Sequence, residues 1–144
     1  MCTEGMGAPL RRSLPDRPLV VLAVDDEETR AAYAYGLAAT GFDVTTAGDT
    51  TTWRLRAAGR PSIIVAGVSE EGRDGWMPVQ RFKRDPGTRD VPIVAVAAQV
   101  GAATRDRARR EGCAAVCLNT CTPDVLASGL RAVLDHTTPS TTLR

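Results

Sequence analysis

The sequence contains few aromatic residues, one histidine and no excess of charge of either sign. Phe, Trp and Tyr together make up 4% of the 144 residues, and His136 is the only histidine. There is no Ser-His-Asp set, nucleophile elbow or phosphate-binding glycine motif, so we expect a protein that is not an enzyme. The formal net charge is +1, which gives no electrostatic reason to expect nucleic acid or a membrane surface as the main partner.

Long apolar runs are also missing, since none approaches the ~20 residues that a transmembrane helix needs. Residues 1–18 carry three arginines with no apolar segment behind them, which predicts a flexible lead rather than a signal peptide. Residues 137–144 are rich in Thr, Pro and Ser and predict a disordered tail. We therefore expect one cytoplasmic domain over residues 19–136, with no helix-turn-helix unit left for binding DNA.

Four cysteines raise the question of a metal site: Cys2, Cys113, Cys117 and Cys121. Zinc sites usually pair their cysteines two residues apart and need four ligands, and the last three cysteines here are spaced by three intervening residues. Cytosolic thiols are normally reduced. We predict that these three are small core residues in and beside a buried strand at 113–118, and that His136 is solvated at the end of the last helix.

Apolar, β-branched segments alternate five times with segments of helical spacing. The predicted strands are 19–24, 42–47, 63–68, 91–97 and 113–118, and the predicted helices are 27–40, 49–58, 76–84, 102–111 and 122–136. This alternation predicts a doubly wound α/β domain, with a five-stranded parallel sheet and helices on both faces. In such a sheet the functional crevice lies at the carboxyl ends of the strands.

Five short motifs follow one another across this domain. They are the acidic pair in VLAVDDEETR, the third-strand segment PSIIVAGVSEEGRDGW, the turn FKRDP, the strand DVPIV and the segment GCAA. In this order and spacing they resemble the receiver domains of two-component response regulators, typified by the chemotaxis response regulator. The resemblance implies a flavodoxin-like (βα)5 fold and a place in two-component signal transduction or a phosphorelay.

The residues on which receiver chemistry depends are replaced. In the family an aspartate that ends the third strand accepts phosphate, and Gly67 stands at that position. The hydroxyl residue that ends the fourth strand is replaced by Ala97, and the lysine that ends the fifth strand by Asn119. Val116 occupies the position of the aromatic switch residue. The resemblance therefore implies a pseudo-receiver that lacks the phosphoacceptor and cannot perform the switch.

Asp25 and Asp26 match the metal-binding pair of the family. One interpretation is structural, because acidic residues before a helix stabilise its N-terminus. The other is weak, water-rich Mg²⁺ binding, and we expect no cofactor. A loop carboxylate, Glu70 or Glu71, offers a substitute phosphoacceptor and is left open as an alternative.

These features predict a phosphorylation-independent protein-interaction module with a signalling protein as its partner. The predicted fourth helix is basic, with Arg105, Arg107, Arg109 and Arg110 and a thin apolar face of Ala102, Ala103 and Ala108. Together with the fifth strand and fifth helix it forms the expected docking face for an acidic partner or a homodimer. Two alternatives remain: a solvated helix without a partner, and a small-molecule sensor with its pocket at Gly67, Ala97 and Asn119.

Overall fold

A computed structural model of the protein describes residues 17–46, 61–69 and 75–137. The predicted helix at 49–58, the loop carboxylates Glu70 and Glu71, and Cys2 lie outside these ranges. The predicted tails lie outside them almost entirely, as does the side chain of His136. The predictions for these segments stay predictions.

The described strands form one parallel sheet in the order β2-β1-β3-β4-β5. The strands are β1 (Leu19–Ala23), β2 (Asp43–Thr46), β3 (Ile63–Gly67), β4 (Ile93–Ala97) and β5 (Ala115–Leu118). The helices in the described ranges are α1 (Glu27–Ala39), α2 (Met77–Arg84), α3 (Ala102–Arg110) and α4 (Pro123–Thr137). The chain leaves β1 toward β2 and returns to β3 on the other side, which is the strand order of flavodoxin-like domains. The predicted fold class is confirmed.

Side chains that alternate along the central strands form two separate cores, one on each face of the sheet. Val20 and Leu22 of β1 lie in a cluster with residues of α1 and α4. Val21 and Ala23 lie in a second cluster with residues of α2 and α3. A strand buried on both faces needs an unbroken apolar sequence, which explains the run LVVLA in β1.

Helices α1 and α4 pack closely beside one another on the first face. A Cβ added at Gly36 would lie 2.6 Å from Cγ of Pro123 and would collide with its Cβ, so the contact requires glycine. One turn further along, just past the end of α1, Arg131 donates to the carbonyl of Thr40 at 2.7 Å. Its guanidinium also lies 4.6 Å from the centre of the Phe42 ring, within range of a cation–π contact.

Strand β5 differs from the prediction of a buried strand at 113–118. It begins at Ala115, after Cys113, and is half-buried along most of its length. The reason is its place at the edge of the sheet, where only β4 pairs with it. Cys113, Cys117 and Cys121 are accordingly half-buried free thiols that pack at the margins of the two cores.

The buried face of α3 also differs from the prediction. Thr104 and Ala108 face the sheet, one helical turn apart, whereas Ala102 and Ala103 are exposed. Ala102 and Ala103 precede the buried Thr104 by two positions and by one. Residues this close in a helix point to different sides, so these two alanines do not share its buried face.

Within the described ranges, no helix has both the length and the apolar character required to cross a membrane.

Candidate functional site at the carboxyl edge of the sheet

The residues predicted to form the site come together at the carboxyl ends of β1, β3, β4 and β5. Asp25 follows β1, and Gly67 and Ala97 are the last residues of β3 and β4. The backbone N–H of Asn119 donates to the carbonyl of Ala97 at 2.8 Å, which joins the ends of β4 and β5. The structure therefore brings these strand ends side by side at one edge of the sheet.

Gly67 lies at the centre of this edge and leaves room for a side chain. A Cβ at this position would be 3.6 Å from Cα of Val24 and 3.8 Å from the carbonyl oxygen of Ala23. Both are ordinary van der Waals distances. Neither close packing nor a left-handed backbone therefore requires glycine here, and the fold would accept a larger residue at this position.

Asp26 is committed to the start of α1. Its Oδ2 accepts hydrogen bonds from the backbone N–H of Thr29 at 2.9 Å and from the Thr29 hydroxyl at 2.6 Å. The Thr29 hydroxyl, its backbone N–H and the nearby Arg30 charge hold the pKa of Asp26 below its usual value. The structural interpretation of this residue, as a helix cap, agrees with these contacts.

Asp25 is exposed beside a cation that sequence reasoning missed. Arg30 donates through Nη1 to the carbonyl of Val24 at 2.7 Å and lies 3.4 Å from the carbonyl of Asp25. The guanidinium therefore stands near the acidic pair, and its charge helps to lower the pKa of Asp26. Among the described residues no group of three or more His, Cys, Asp or Glu side chains is placed to hold a metal ion.

Asn119 is tied to α1 by Tyr33, which lies 86 residues earlier in the chain. The Tyr33 hydroxyl is 2.9 Å from the carbonyl of Asn119 and 3.1 Å from that of Cys121. Burial, then the contact with the Cys121 thiol, raises the pKa of Tyr33 above its usual value. Tyr33 appeared in the sequence only as an apolar position of a helix, because nothing local indicates a hydroxyl contact so distant in the chain.

A groove of about 300 Å³ lies between α1 and the loop after β5. Its lining includes Glu28, Thr29, Tyr33, Asn119, Cys121 and Pro123. Asn119 thus lines a groove together with residues of α1, and neither Gly67 nor Ala97 belongs to this groove. The lining mixes polar and apolar groups and includes the Glu28 carboxylate, so it differs from the neutral pocket expected from the sequence.

Comparison with known proteins agrees with this architecture. No family model matches the chain. In sequence it is 33% identical over 94 residues to the response regulator PleD of Caulobacter vibrioides, an alignment that covers 64% of this chain and 21% of that protein. In structure it matches the chemotaxis response regulator CheY4 of Vibrio cholerae with a TM-score of 0.69 and 19% identity, covering 81% of this chain and 98% of that one. Its fold is that of the response-regulator receiver domain.

Two further structures show the same receiver fold. A response regulator from Thermotoga maritima gives a TM-score of 0.70 at 17% identity, covering 83% of this chain and 98% of that one. The receiver domain of a histidine kinase from Syntrophus aciditrophicus gives 0.68 at 18% identity, covering 88% and 97%. The chain spans about a fifth of the length of the curated relative, so the likeness concerns only part of that protein.

The basic helix α3 directs its arginines to two different sides. Arg105 and Arg109 line a groove of about 320 Å³ that runs between α3 and β5 and includes Val116. Arg109 is also paired with Asp106 at 2.8 Å, with both side chains largely exposed. The four arginines therefore do not form one continuous patch.

Arg107 points away from this groove toward α2. Its guanidinium lies 5.4 Å from the centre of the buried Trp76 ring, and its Nε donates to Glu111 at 2.7 Å. Gln80 of α2 donates to the same carboxylate at 3.2 Å. The Arg107 and Gln80 contacts hold the pKa of Glu111 below its usual value, although partial burial opposes them. The cluster of Trp76, Gln80, Arg107 and Glu111 thus fixes α3 against α2.

Val116, at the predicted switch position, lies in the middle of β5 and is half-buried. It pairs in register with Ala95 and packs against the core on the α2 and α3 face. A valine here has no aromatic ring to move between a buried and an exposed position. The structure therefore puts an ordinary strand residue where the resemblance implies a movable one.

Proposed function

We propose that this receiver domain is a pseudo-receiver, an interaction module of two-component-type signalling that works without aspartyl phosphorylation. The single observation that carries the proposal is Gly67 at the end of β3. Phosphoryl transfer to a receiver requires a carboxylate nucleophile, and glycine has no side chain to offer one. The proposed loss of the nucleophile is therefore complete, because glycine leaves no weaker group in its place.

The neighbours of Gly67 support the same proposal. Ala97 brings no hydroxyl and Asn119 no positive charge to the places where a phosphoryl group would need a hydrogen-bond donor and a cation. Asp26 caps α1 and Arg30 stands beside Asp25, so the acidic pair is a poor site for Mg²⁺, which prefers several oxygen ligands. Phosphorylation on a substitute carboxylate is the competing outcome.

The proposed docking face is the groove between α3 and β5. Arg105 and Arg109 form its basic wall, and Val116 contributes apolar surface. Leu118 at the end of β5 and Val125 in the first turn of α4 are exposed at 44% and 57%. A basic wall with the apolar Val116 suits a signalling protein that presents carboxylates together with apolar groups, and a second copy of this chain is the competing partner.

An NMR titration of the intact chain with Mg²⁺ and beryllofluoride, a mimic of aspartyl phosphate, tests the absence of phosphorylation. We expect no saturable shifts at Asp25, Gly67, Ala97 or Asn119. Saturable shifts that spread into α3 would contradict the proposal, because another carboxylate would then be serving as the acceptor. Intact-mass measurement after treatment with acetyl phosphate would identify such a residue.

Charge reversal tests the docking face. Arg105→Glu together with Arg109→Glu should abolish binding of the signalling partner, whereas Arg81→Glu together with Arg84→Glu on the exposed side of α2 should not. Sedimentation of the wild-type chain at rising concentration distinguishes a homodimer. If the α3 and α2 variants bind equally well, the docking face lies elsewhere on the domain.

Small-molecule sensing is a second candidate function, favoured by the groove beside Asn119. Its volume of about 300 Å³ lies at the lower end of the range for ligand pockets. Thermal-shift screening of metabolites, with Asn119→Ala as the matched variant, tests it. A compound that stabilises the wild type but not the variant would support this function, and a flat screen would oppose it.

A further inference from the structure

Two thiols and one buried hydroxyl lie together on the α1 and α4 face of the sheet. Cys117 and Cys121 both pack against the core cluster on that face. The Sγ of Cys121 lies 3.5 Å from the hydroxyl oxygen of Tyr33. Cys113 packs against the cluster on the opposite face, so the sheet separates it from this group.

A tight turn brings the two cysteines back to the same core. The chain reverses directly after β5, where the backbone N–H of Cys121 donates to the carbonyl of Leu118 at 3.1 Å. The two cysteines are thus four residues apart, on either side of this turn, and pack against the same core cluster. Burial, then the neighbouring Cys121, raises the pKa of Cys117.

The two thiols differ in their access to solvent. Cys121 lines the groove of about 300 Å³ between α1 and the loop after β5. Cys117 is half-buried in the edge strand behind it. A small reagent that enters the groove meets Cys121 first, and Cys117 is then the nearest thiol that can attack the product.

We propose that Cys117 and Cys121 form a redox-active dithiol, which a low-molecular-weight disulfide converts to an intramolecular disulfide. In the first step the Cys121 thiolate attacks one sulfur of the reagent and forms a mixed disulfide, releasing one small thiolate. In the second step the Cys117 thiolate attacks the Cys121 sulfur and releases the second. The protein loses two electrons and two protons, and the reagent is reduced to two small thiols.

Oxidation changes the surroundings of Tyr33 and of the turn that carries Asn119. The thiol hydrogen of Cys121 disappears, so Cys121 can no longer donate to the Tyr33 hydroxyl, which remains beside two main-chain carbonyls. The new bond spans the turn and fixes Asn119 at the carboxyl edge of the sheet. This inference does not depend on the proposed function, because it needs neither phosphate nor a partner.

The test uses the intact chain and glutathione disulfide as the probe. Free thiols are then alkylated, and the tryptic peptide 111–131, which contains Cys113, Cys117 and Cys121, is fragmented. We expect Cys113 to carry the alkyl group and the other two to have lost one hydrogen each. Cys117→Ser and Cys121→Ser should each abolish this loss, whereas Cys113→Ser and Cys2→Ser should retain it.

Mapping in the wild type keeps the test independent of how well the variants fold. A disulfide that includes Cys113 or Cys2 would overturn the proposal. So would glutathione that remains on Cys121 without release, because Cys117 would then be unable to resolve it. Complete alkylation of all three cysteines of the peptide, under conditions that oxidise a reference dithiol protein, would also overturn it.

Discussion

Replacing Gly67 by aspartate tests whether the residue at this position is what keeps the proposed pseudo-receiver from binding Mg²⁺ and accepting phosphate. The added Cβ would lie 3.6 Å from Cα of Val24 and 3.8 Å from the carbonyl of Ala23, so the strand accepts it without moving. Gly67→Asn is the matched control, with nearly the same shape and no charge. We expect this control to change the free energy of unfolding by less than about 1 kcal/mol, which is the span of strand propensities.

The aspartate variant should gain a response to Mg²⁺ that the control lacks. Its carboxylate would join Asp25 and Asp26 and raise the number of oxygen ligands at the edge. At a free Mg²⁺ concentration tenfold above the dissociation constant, binding stabilises the folded state by about 1.4 kcal/mol. For a domain of this size that corresponds to a rise in melting temperature of roughly 5 °C. Calorimetry with and without MgCl₂ measures it, and acetyl phosphate should label the same variant.

Two results would refute this reasoning. Equal Mg²⁺ stabilisation or equal labelling in the wild type and in Gly67→Asn would show that a carboxylate at position 67 is not limiting. A folded aspartate variant with no Mg²⁺ response would show that the cation of Arg30 or the capping of α1 by Asp26, rather than Gly67, decides the loss of metal binding.

Three further predictions concern stability. Gly36→Ala should lower the free energy of unfolding by about 1–3 kcal/mol, because the added Cβ overlaps Pro123, the first residue of α4. Gly129→Ala should raise the free energy of unfolding by up to about 1 kcal/mol, because a Cβ there meets nothing within 4 Å. Urea denaturation measures both changes. Asp26→Ala should lower the melting temperature at neutral pH, and the gap should close as the pH falls below 3.8, because a depressed carboxyl pKa stabilises the fold only while the group is ionised. Arg107→Met should lower the free energy of unfolding by about 1 kcal/mol, because the contacts of Arg107 with the Trp76 ring and the Glu111 carboxylate are lost. The control Arg110→Met should lower it little, and thermal unfolding measures both variants. Equal losses would mean that the Trp76 contact contributes nothing.

The proposed dithiol and the proposed docking groove lie on opposite faces of the sheet. Cys117 and Cys121 face α1 and α4, whereas Arg105 and Arg109 face the groove beside Val116. Oxidation of the thiols and charge reversal of the arginines should therefore act independently. Partner binding measured before and after oxidation, in the wild type and the arginine variants, would reveal any coupling between the two sites.

The fold was largely predictable because its signals are local. Buried parallel strands require continuous apolar runs, and the runs that end at Ala23, Gly67 and Ala97 lie where they were predicted. The right-handed crossover rule then leaves few ways to arrange alternating strands and helices. Strand β5 was misjudged because its apolar sequence resembles that of a central strand, while its exposure depends on which strand lies beside it.

The residues of the candidate site could also be predicted from the sequence. The fold brings the strand ends together, and the sequence states which residue stands at each end. That Gly67, Ala97 and Asn119 carry neither a carboxylate, a hydroxyl nor a positive charge is a property of the chain itself. Tertiary structure decided which groups surround them. The contacts of the Tyr33 hydroxyl and the division of the arginines of α3 between two sides depend on segments distant in the chain, and no local pattern encodes such contacts.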